Sequence, residues 1–455
     1  MIDVTAIATL REALTGTLVT ATDTGYEHSR RVWNAMIDRR PELIVRCAGT
    51  EDIHRAVDFA HAHDAALAIR GGGHNIAGLG VSDGGIVIDL SLMKAISVDP
   101  ARRAARAQAG VLGGELDRAA QAFGLATPLG QISTTGIAGL TLGGGMSWLH
   151  GKFGLACDNL LAVDIVTADG RALVASAEEN SDLFWAVRGG GGNFGVVTDF
   201  EYRLHPLGRD LAGTVIYPRE KARDMMRLYR ELNATAPDGM LACAAFVTPP
   251  GGPLSFAIAL DWCGELATGE HLLEPIRRAH QPVADMIRAM THVEVQTMMD
   301  ESAPPGLQNY WKATYLNGLS DDAIEVITEY AARATSPRTL IMLMPLRGAM
   351  SRVADNATAF PNRASAFTLN IMAMWTDGPA TNHVRWAREF FAAMQPFSSG
   401  GVYVNDLNQD EGDDRVRAAY AANYGRLAVI KAKYDPDNFF HRNQNIRPAA
   451  SSPKT

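Results

Sequence analysis

Apolar residues recur through the first 200 positions in short blocks that alternate between two spacings. Leu43-Ile44-Val45 is continuous and reads as a strand. Thr50 then stands as a helix N-cap with Glu51 and Asp52 in the first turn, and Ile53, Ala56, Val57 and Ala60 repeat at helical spacing. Leu67-Ala68-Ile69 forms a second strand, and Ile86 to Leu90 a third. The order predicts a strand, a helix and a strand that deliver the chain into Arg70-Gly71-Gly72-Gly73-His74-Asn75, with no helix following that turn. Val163 to Gly170 reads as a strand and turn, and Val196 to Leu204 as a strand.

The pattern changes near Pro206, where glycine thins out and longer elements take over. Strands are predicted at Gly213 to Tyr217, Ala242 to Thr248, Ser255 to Trp262, Thr339 to Leu346 and Phe367 to Trp375. Helices are predicted at Pro218 to Thr235, Gly269 to Arg278 and Ser320 to Ala334. From Asp413 a helix opens with acids in its first turn and sets Val416, Tyr420, Tyr424, Leu427 and Ile430 along one side. The segment after 206 therefore predicts a sheet backed by helices, an α+β arrangement.

The glycine loops carry the chemistry. Three successive glycines let backbone amides crowd an anion such as a pyrophosphate, and His74 sets a nucleophilic imidazole beside them. On its own the histidine has a plain alternative role, hydrogen-bonded within a glycine turn. A second cluster runs from Pro128-Leu129-Gly130-Gln131 through Ser133-Thr134-Thr135-Gly136 and Gly139 to Gly143-Gly144-Gly145. A third, Arg188 to Val197, spells GxGxxG at Gly190, Gly192 and Gly195. A strand follows it rather than a helix, and no convincing acidic residue stands about 20 positions on, which argues against a Rossmann site. Gly151-Lys152 is followed by Phe153 rather than Ser or Thr, so it is not a P-loop.

Composition narrows the class further. A chain of 455 residues, 47% hydrophobic and 20% charged, can bury large cores and exceeds one typical domain. The net charge of −8 offers no electrostatic basis for nucleic-acid or anionic membrane binding. Without a signal-peptide pattern or a membrane-length apolar run, the expectation is a cytoplasmic enzyme, monomer or homo-oligomer. Cys47, Cys157, Cys243 and Cys263 are scattered without metal-type spacing and suggest neither a metal nor a disulfide framework.

With all three glycine clusters in view, the chain resembles the vanillyl-alcohol-oxidase-like flavoproteins, in their berberine-bridge-enzyme-like branch. The likeness rests on RGGGHN at 70–75, the run from Ser133 through Gly145, Phe153-Gly154-Leu155 with Asp158-Asn159-Leu160, Val163 to Gly170, Arg188 to Val197, Tyr434 to Phe440 and Asn443-Gln444-Asn445-Ile446. It implies a two-part PCMH-type FAD-binding domain at 1–206 and 400–455, with a substrate-binding domain at 207–399 built on an antiparallel sheet backed by helices. It also implies FAD held by Arg70, Gly71, Gly72, Gly73, His74, Asn75, Gln131, Ser133, Thr134, Gly136, Gly139, Gly143, Gly144, Gly195, Val197, Asn443 and Asn445. His74 matches the histidine that bonds the flavin 8α-methyl carbon. Many members add a cysteinyl bond; counted back from Gly143, that position falls on Gly136, so a single bond is expected. Cys157 is expected to be a small buried hydrophobe.

In this family a substrate loses a hydride to flavin N5 while a side chain removes a proton. The resemblance suggests Lys312, in Tyr310-Trp311-Lys312, as that base, since a lysine drawn into an apolar site can lose its charge. A lysine snorkelling beside core aromatics is the plainer role. A second region, Tyr403-Val404-Asn405-Asp406, resembles a segment lying over the flavin, with Asp406 where carbohydrate oxidases carry a catalytic tyrosine. That departure weakens a sugar-oxidase assignment, while a carboxylate of raised pKa could itself act as base. Asn405 could bond substrate or flavin. Asn370, Trp375 and Tyr315 fall on predicted sheet or adjoining segments, with core packing the simpler role for each. The reaction expected is oxidation of a small or medium alcohol, phenolic, amine or secondary-metabolite intermediate, with O2 reoxidising the flavin. A quinone-dependent dehydrogenase and a non-catalytic flavin-binding protein are the alternatives.

Overall fold

The protein is described here by a computed structural model covering residues 2–450. The N-terminal blocks form the expected unit: Leu43–Arg46, the helix Thr50–Ala62 and Leu67–Arg70, with Ile86–Asp89 lying between the two strands and parallel to both. The helix starts one residue earlier than expected, with Gly49 at the N-cap. Asp52 serves the neighbouring loop instead, accepting from the backbone N–H groups of Thr15, Gly16 and Ala48. Leu67–Arg70 runs into the glycine turn and no helix follows, as the sequence predicts.

A second sheet, antiparallel and five-stranded, carries Val196–Arg203 at its centre between Ala104–Gln108 and Leu160–Val166. The two N-terminal sheets share one large core with the returning C-terminal segment, through Leu407, Tyr420, Leu427 and Ile446. Asp413–Tyr420 and Tyr424–Tyr434 are two helices rather than one, broken at Ala421, where φ is 44°. The break lets the buried Tyr420 donate its hydroxyl to Gly190 O at 3.2 Å, inside the third glycine loop.

Between these parts lies an antiparallel sheet whose strands run in the order Ala284–Asp285, Asp210–Pro218, Ser255–Trp262, Met240–Val247, Leu340–Pro345, Phe367–Trp375 and Gln308–Leu316, with Arg288–Met290 also paired to Asp210–Pro218. Helices Ala222–Thr235, Leu266–Arg278, Asp321–Ala332 and Thr381–Met394 back one face. Every residue of Phe367–Trp375 is buried, so both faces of the sheet are covered. Side chains alternate between them: Leu369, Ile371, Ala373 and Trp375 join the helix-side core, and Asn370, Met372 and Met374 face the glycine loops. The sequence prediction missed Gln308–Leu316 and Thr381–Met394. Buried ion pairing fastens the sheet domain to the first 200 residues, since Arg363 donates to both oxygens of Asp158 at 2.9 and 2.7 Å. Among the described residues no helix is long and apolar enough to cross a membrane.

Candidate active site

The first two glycine loops meet back to back. A Cβ on Gly72 would stand 2.3 Å from the Gly136 nitrogen, and one on Gly136 would stand 2.3 Å from the Gly72 nitrogen, so only glycine permits the approach. A cysteine side chain at position 136 would not fit on this backbone. No residue of the 130–146 run that lines the cavity is a cysteine. Cys157 is fully buried outside the cavity lining, its thiol pushed well up by burial.

The contact sets His74 against the second loop, with Thr134 Oγ1 3.2 Å from Nε2 and Thr135 Oγ1 3.5 Å from Nδ1. Trp33 stacks on the imidazole, ring centroids 5.3 Å apart, and is anchored by its own Nε1 donating to Ala303 O at 2.9 Å. Burial pushes the His74 pKa down to about 4, against a weaker upward pull from Asp300. The ring is therefore neutral at physiological pH, and one of its nitrogens carries a lone pair rather than a proton.

One continuous cavity runs past His74. Gly71, Gly72, Gly73, Asn75, Gln131, Gly136, Gly139, Gly195, Val197, Arg70 and Asn443 line it. Gly139 and Gly192 line it with empty space where a Cβ would project. A flat group could press against the backbone there. Arg70 Nη1 and Asn443 Oδ1 are buried without partners, although Arg70 Nη2 donates to Asp89 and Asn443 Nδ2 to Gly192 O. Glycine cradles, unspent polar atoms and a neutral imidazole together suit a dinucleotide with a flat ring system, as FAD is.

Other expected FAD contacts serve the frame instead. Ser133 spends both backbone N–H and Oγ on Asp300, at 2.8 and 2.5 Å, tying the second loop to the roof. Thr134 reaches His74 and not the main cavity. Gly143 and Gly144 lie outside the lining: a Cβ on Gly143 would stand 2.2 Å from Asn405 Oδ1, and one on Gly144 would meet the Phe360 ring at 2.5 Å. Asn445 is likewise absent from the lining, with a buried Oδ1 that has no partner. The third loop is held from behind by buried Lys431, which donates to Asn193 O at 2.7 Å while paired with Asp435.

The proposed bases separate cleanly. Lys312 and Tyr310 do not line the cavity, and Trp311 between them does. Strand alternation places the lysine and tyrosine on the helix-backed face, one residue out of register with the site. There Lys312 Nζ donates to Asp410 at 3.0 Å and to Glu411 at 2.7 Å, and Tyr310 donates to Asp410 at 2.7 Å. These bonds commit Lys312 to two carboxylates and leave it no route to a substrate. Asn405 closes the C-terminal segment onto the glycine run, its amide donating to Tyr403 Oη at 2.8 Å and to Leu140 O at 3.3 Å. Tyr403 Oη in turn accepts from Gly145 N at 2.9 Å.

Asp406 is the carboxylate left facing the cavity. Burial pushes its pKa up to about 7, opposed by Asn370 Nδ2, which donates to its Oδ2 at 2.7 Å. Asn370 therefore belongs to the site rather than the core, whereas Tyr315 and Trp375 pack into cores as expected. Sequence reasoning missed Trp33 and the methionines 342, 344, 372 and 374. The methionines carried a readable signal, pairs two apart on predicted strands, while Trp33 lies in an irregular segment without periodicity.

Comparison with known proteins agrees with this geometry. Residues 41–176 match the family described as an FAD binding domain, and residues 402–447 match that described as berberine and berberine like. (R)-6-hydroxynicotine oxidase of Paenarthrobacter nicotinovorans is 32% identical, over 96% of this chain and 98% of its own. An FAD-linked oxidoreductase of Dictyostelium discoideum is 30% identical over 91% of each chain. The crystal structure of 6-hydroxy-D-nicotine oxidase from Arthrobacter nicotinovorans superposes with a TM-score of 0.87 at 30% identity, covering 96% of this chain and 98% of that one. The moss protein Physcomitrella patens BBE-like 1 shares the fold, with a TM-score of 0.88 at 23% identity over 97% of this chain and 99% of that one. The chain belongs to the berberine-bridge-enzyme-like family of FAD-linked oxidoreductases.

Proposed function

We propose that the protein is an oxidase that holds FAD through a single bond from His74 and oxidises a small or medium organic alcohol, phenolic or amine, with Asp406 as the proton acceptor. The observation that carries this reading is the Asp406 carboxylate, buried at the cavity and hydrogen-bonded by Asn370 at 2.7 Å, with a pKa of about 7. A base is most effective when its pKa lies near the working pH. FAD, when bound, supplies the two-electron acceptor and hands the electrons on to O2.

The chain's own groups do the rest. Asn370 donates one hydrogen bond to Asp406 and itself accepts from Thr368 Oγ1 at 3.2 Å, which fixes the amide's orientation. A substrate hydroxyl or amine placed against Asp406 can give up its proton there. Neutral His74, held between Thr134 and Trp33, offers a nitrogen to the flavin methyl. The glycine motifs are accounted for by one dinucleotide, which favours oxygen over NAD(P) as acceptor. The domain division at 206 and 400 fits the two family matches at either end of the chain.

Anaerobic reduction followed by mixing with aerated buffer tests the acceptor. Rapid reoxidation with one hydrogen peroxide per turnover is expected. Flavin that stays reduced for minutes in air, yet is reoxidised at once by a quinone, would make the protein a dehydrogenase.

A further inference from the structure

The roof over the cavity is built from sulfur and aromatic rings. Paired strands Leu340–Pro345 and Phe367–Trp375 set Met342 beside Asn370, and Leu340 beside Met372. Met342, Met344, Met372 and Met374 all line the cavity from this sheet. Met372 also pairs with Trp311 of the next strand, which lines the cavity too. Trp311 meets Trp33 edge to face, with ring centroids 5.8 Å apart. Both indole N–H groups are spent inside the protein, on Ala303 O and on Asn309 Oδ1, so the tryptophans present only ring surface.

The polar atoms around this roof are already engaged. Asn370 is bonded to Asp406 and Thr368, Ser302 Oγ donates to Met299 O at 2.6 Å, and the Gln131 amide points at Cys243 Sγ across 3.5 Å. Among the described residues no cation stands on the roof. The two arginines that reach the cavity, Arg70 and Arg442, belong to the cofactor-binding segments.

Resting on the oxidase reading above, we infer that the substrate is a flat, largely aromatic molecule that carries no negative charge. It would lie against Met342, Met372, Met374 and Trp311, with its single oxidisable alcohol or amine carbon toward Asp406. Thioether sulfur is polarisable and favours aromatic rings, and its flexible stem moulds to irregular shapes. A sugar meets the opposite situation. Each hydroxyl buried without a partner forfeits the bonds it made in water, and the roof sheet offers one amide, Asn370, already bonded to the one carboxylate, Asp406. A carboxylate-bearing substrate would find Asp406 and no positive charge.

Anaerobic titration of the holoenzyme, read by perturbation of flavin absorbance, tests the class with defined probes. Cinnamyl alcohol and 2-naphthol are expected to bind at least about tenfold more tightly than cellobiose, and cinnamyl alcohol about tenfold more tightly than cinnamate of the same shape. Met342→Gln and Met372→Gln, each burying an amide beside the ring, are expected to weaken the aromatic probes about tenfold. Cellobiose or cinnamate binding as tightly as the aromatic alcohol overturns the inference, as does unchanged affinity in the folded variants. Should neither variant fold, the wild-type comparison alone decides. Aromatic probes that bind tightly while no cinnamyl or benzylic alcohol or amine ever bleaches the flavin would overturn the oxidase reading and leave the substrate-binding class standing.

Discussion

Asp406 and Asn370, 36 positions apart in the chain, meet at the cavity through one 2.7 Å hydrogen bond that joins the returning C-terminal segment to the roof sheet. The contact places a buried carboxylate where two chain segments converge, so its position depends on both being folded. Burial holds the carboxyl pKa at about 7, so ionised Asp406 gains population through neutrality. The rate of flavin reduction should accordingly rise with pH up to about 7 and level off. Asp406→Asn should lose that limb and slow reduction by roughly 10²–10⁴-fold with FAD content unchanged. Stopped-flow reduction across pH 5 to 9 checks both, and a full-speed Asp406→Asn enzyme would remove the residue from the chemistry.

His74 should carry the flavin through denaturation. With the imidazole pKa at about 4, the nucleophile is neutral throughout pH 5 to 8, and attachment should not vary across that range. His74→Ala should release all its flavin on acid precipitation, and Cys157→Ser, altering a buried thiol outside the cavity lining, should keep it bound. Flavin fluorescence of the denatured polypeptide on a gel, with mass spectrometry of the flavin peptide, reads both outcomes. A peptide linking flavin to a cysteine would contradict the single bond.

The glycine loops were legible because the requirement is local: close backbone approach excludes a Cβ, and Gly72 and Gly136 show that exclusion directly. The strands Ser255–Trp262 and Phe367–Trp375 were legible from their continuous apolar runs. Gln308–Leu316 was not, because its polar residues are paid for by tertiary bonds that no periodicity reveals, such as those from Lys312 to Asp410 and Glu411. The same hidden register concealed which side chains reach the cavity: Trp311 and Lys312 are neighbours in sequence and on opposite faces of the sheet, and Trp311 alone lines it. Trp33 was silent for a similar reason, since its stacking on His74 is wholly non-local.

Lys312 therefore makes a structural prediction opposite to its catalytic one. Lys312→Met would leave Glu411, 5% exposed, with Arg415 as its remaining ionic partner at 3.0 Å, and Asp410 with Arg388 at 2.7 Å. Removing one member of a buried pair costs about 3 kcal/mol, and the remaining arginines reduce that figure. The variant should unfold at lower temperature or denaturant concentration and still reduce its flavin at the wild-type rate. Loss of reduction rate with unchanged stability would return the lysine to the reaction.

The last prediction concerns a buried cluster outside the cavity lining. His292 Nδ1 stands 3.5 Å from Asp210 Oδ2, and its Nε2 stands 3.9 Å from Asp117 Oδ1, all three residues almost wholly buried. Asp261 lies on the strand paired with that of Asp210. Arg118 and Lys152 are the nearby cations that pull the acids down, without offsetting burial. Burial raises Asp117 to about 7 and Asp261 well above its usual range. For His292 burial pulls downward, but the facing Asp210 and Asp117 outweigh it and the net shift is upward. All three groups thus hold protons more tightly folded than unfolded. Their stabilisation is complete below the unfolded carboxyl pKa near 4 and is lost as pH rises, for Asp117 through about 7 and for His292 above its ordinary value of 6.5. Exposed acids such as Glu27, held down to about 2 by hydrogen bonds from Arg30 and Arg40, act in the opposite sense, but only as pH falls below about 4.5. His74, His150 and His205, pushed down to about 4 by burial, also act in the opposite sense as pH rises towards their ordinary 6.5 and are spent above it. The decline in thermal midpoint is therefore read from pH 6.5 to pH 8. Asp406 contributes to the same slope, so Asp117→Asn, permanently neutral, isolates the cluster's share by flattening it. A wild-type midpoint that is level or rises across that interval would show that the cluster is not protonated in the folded protein.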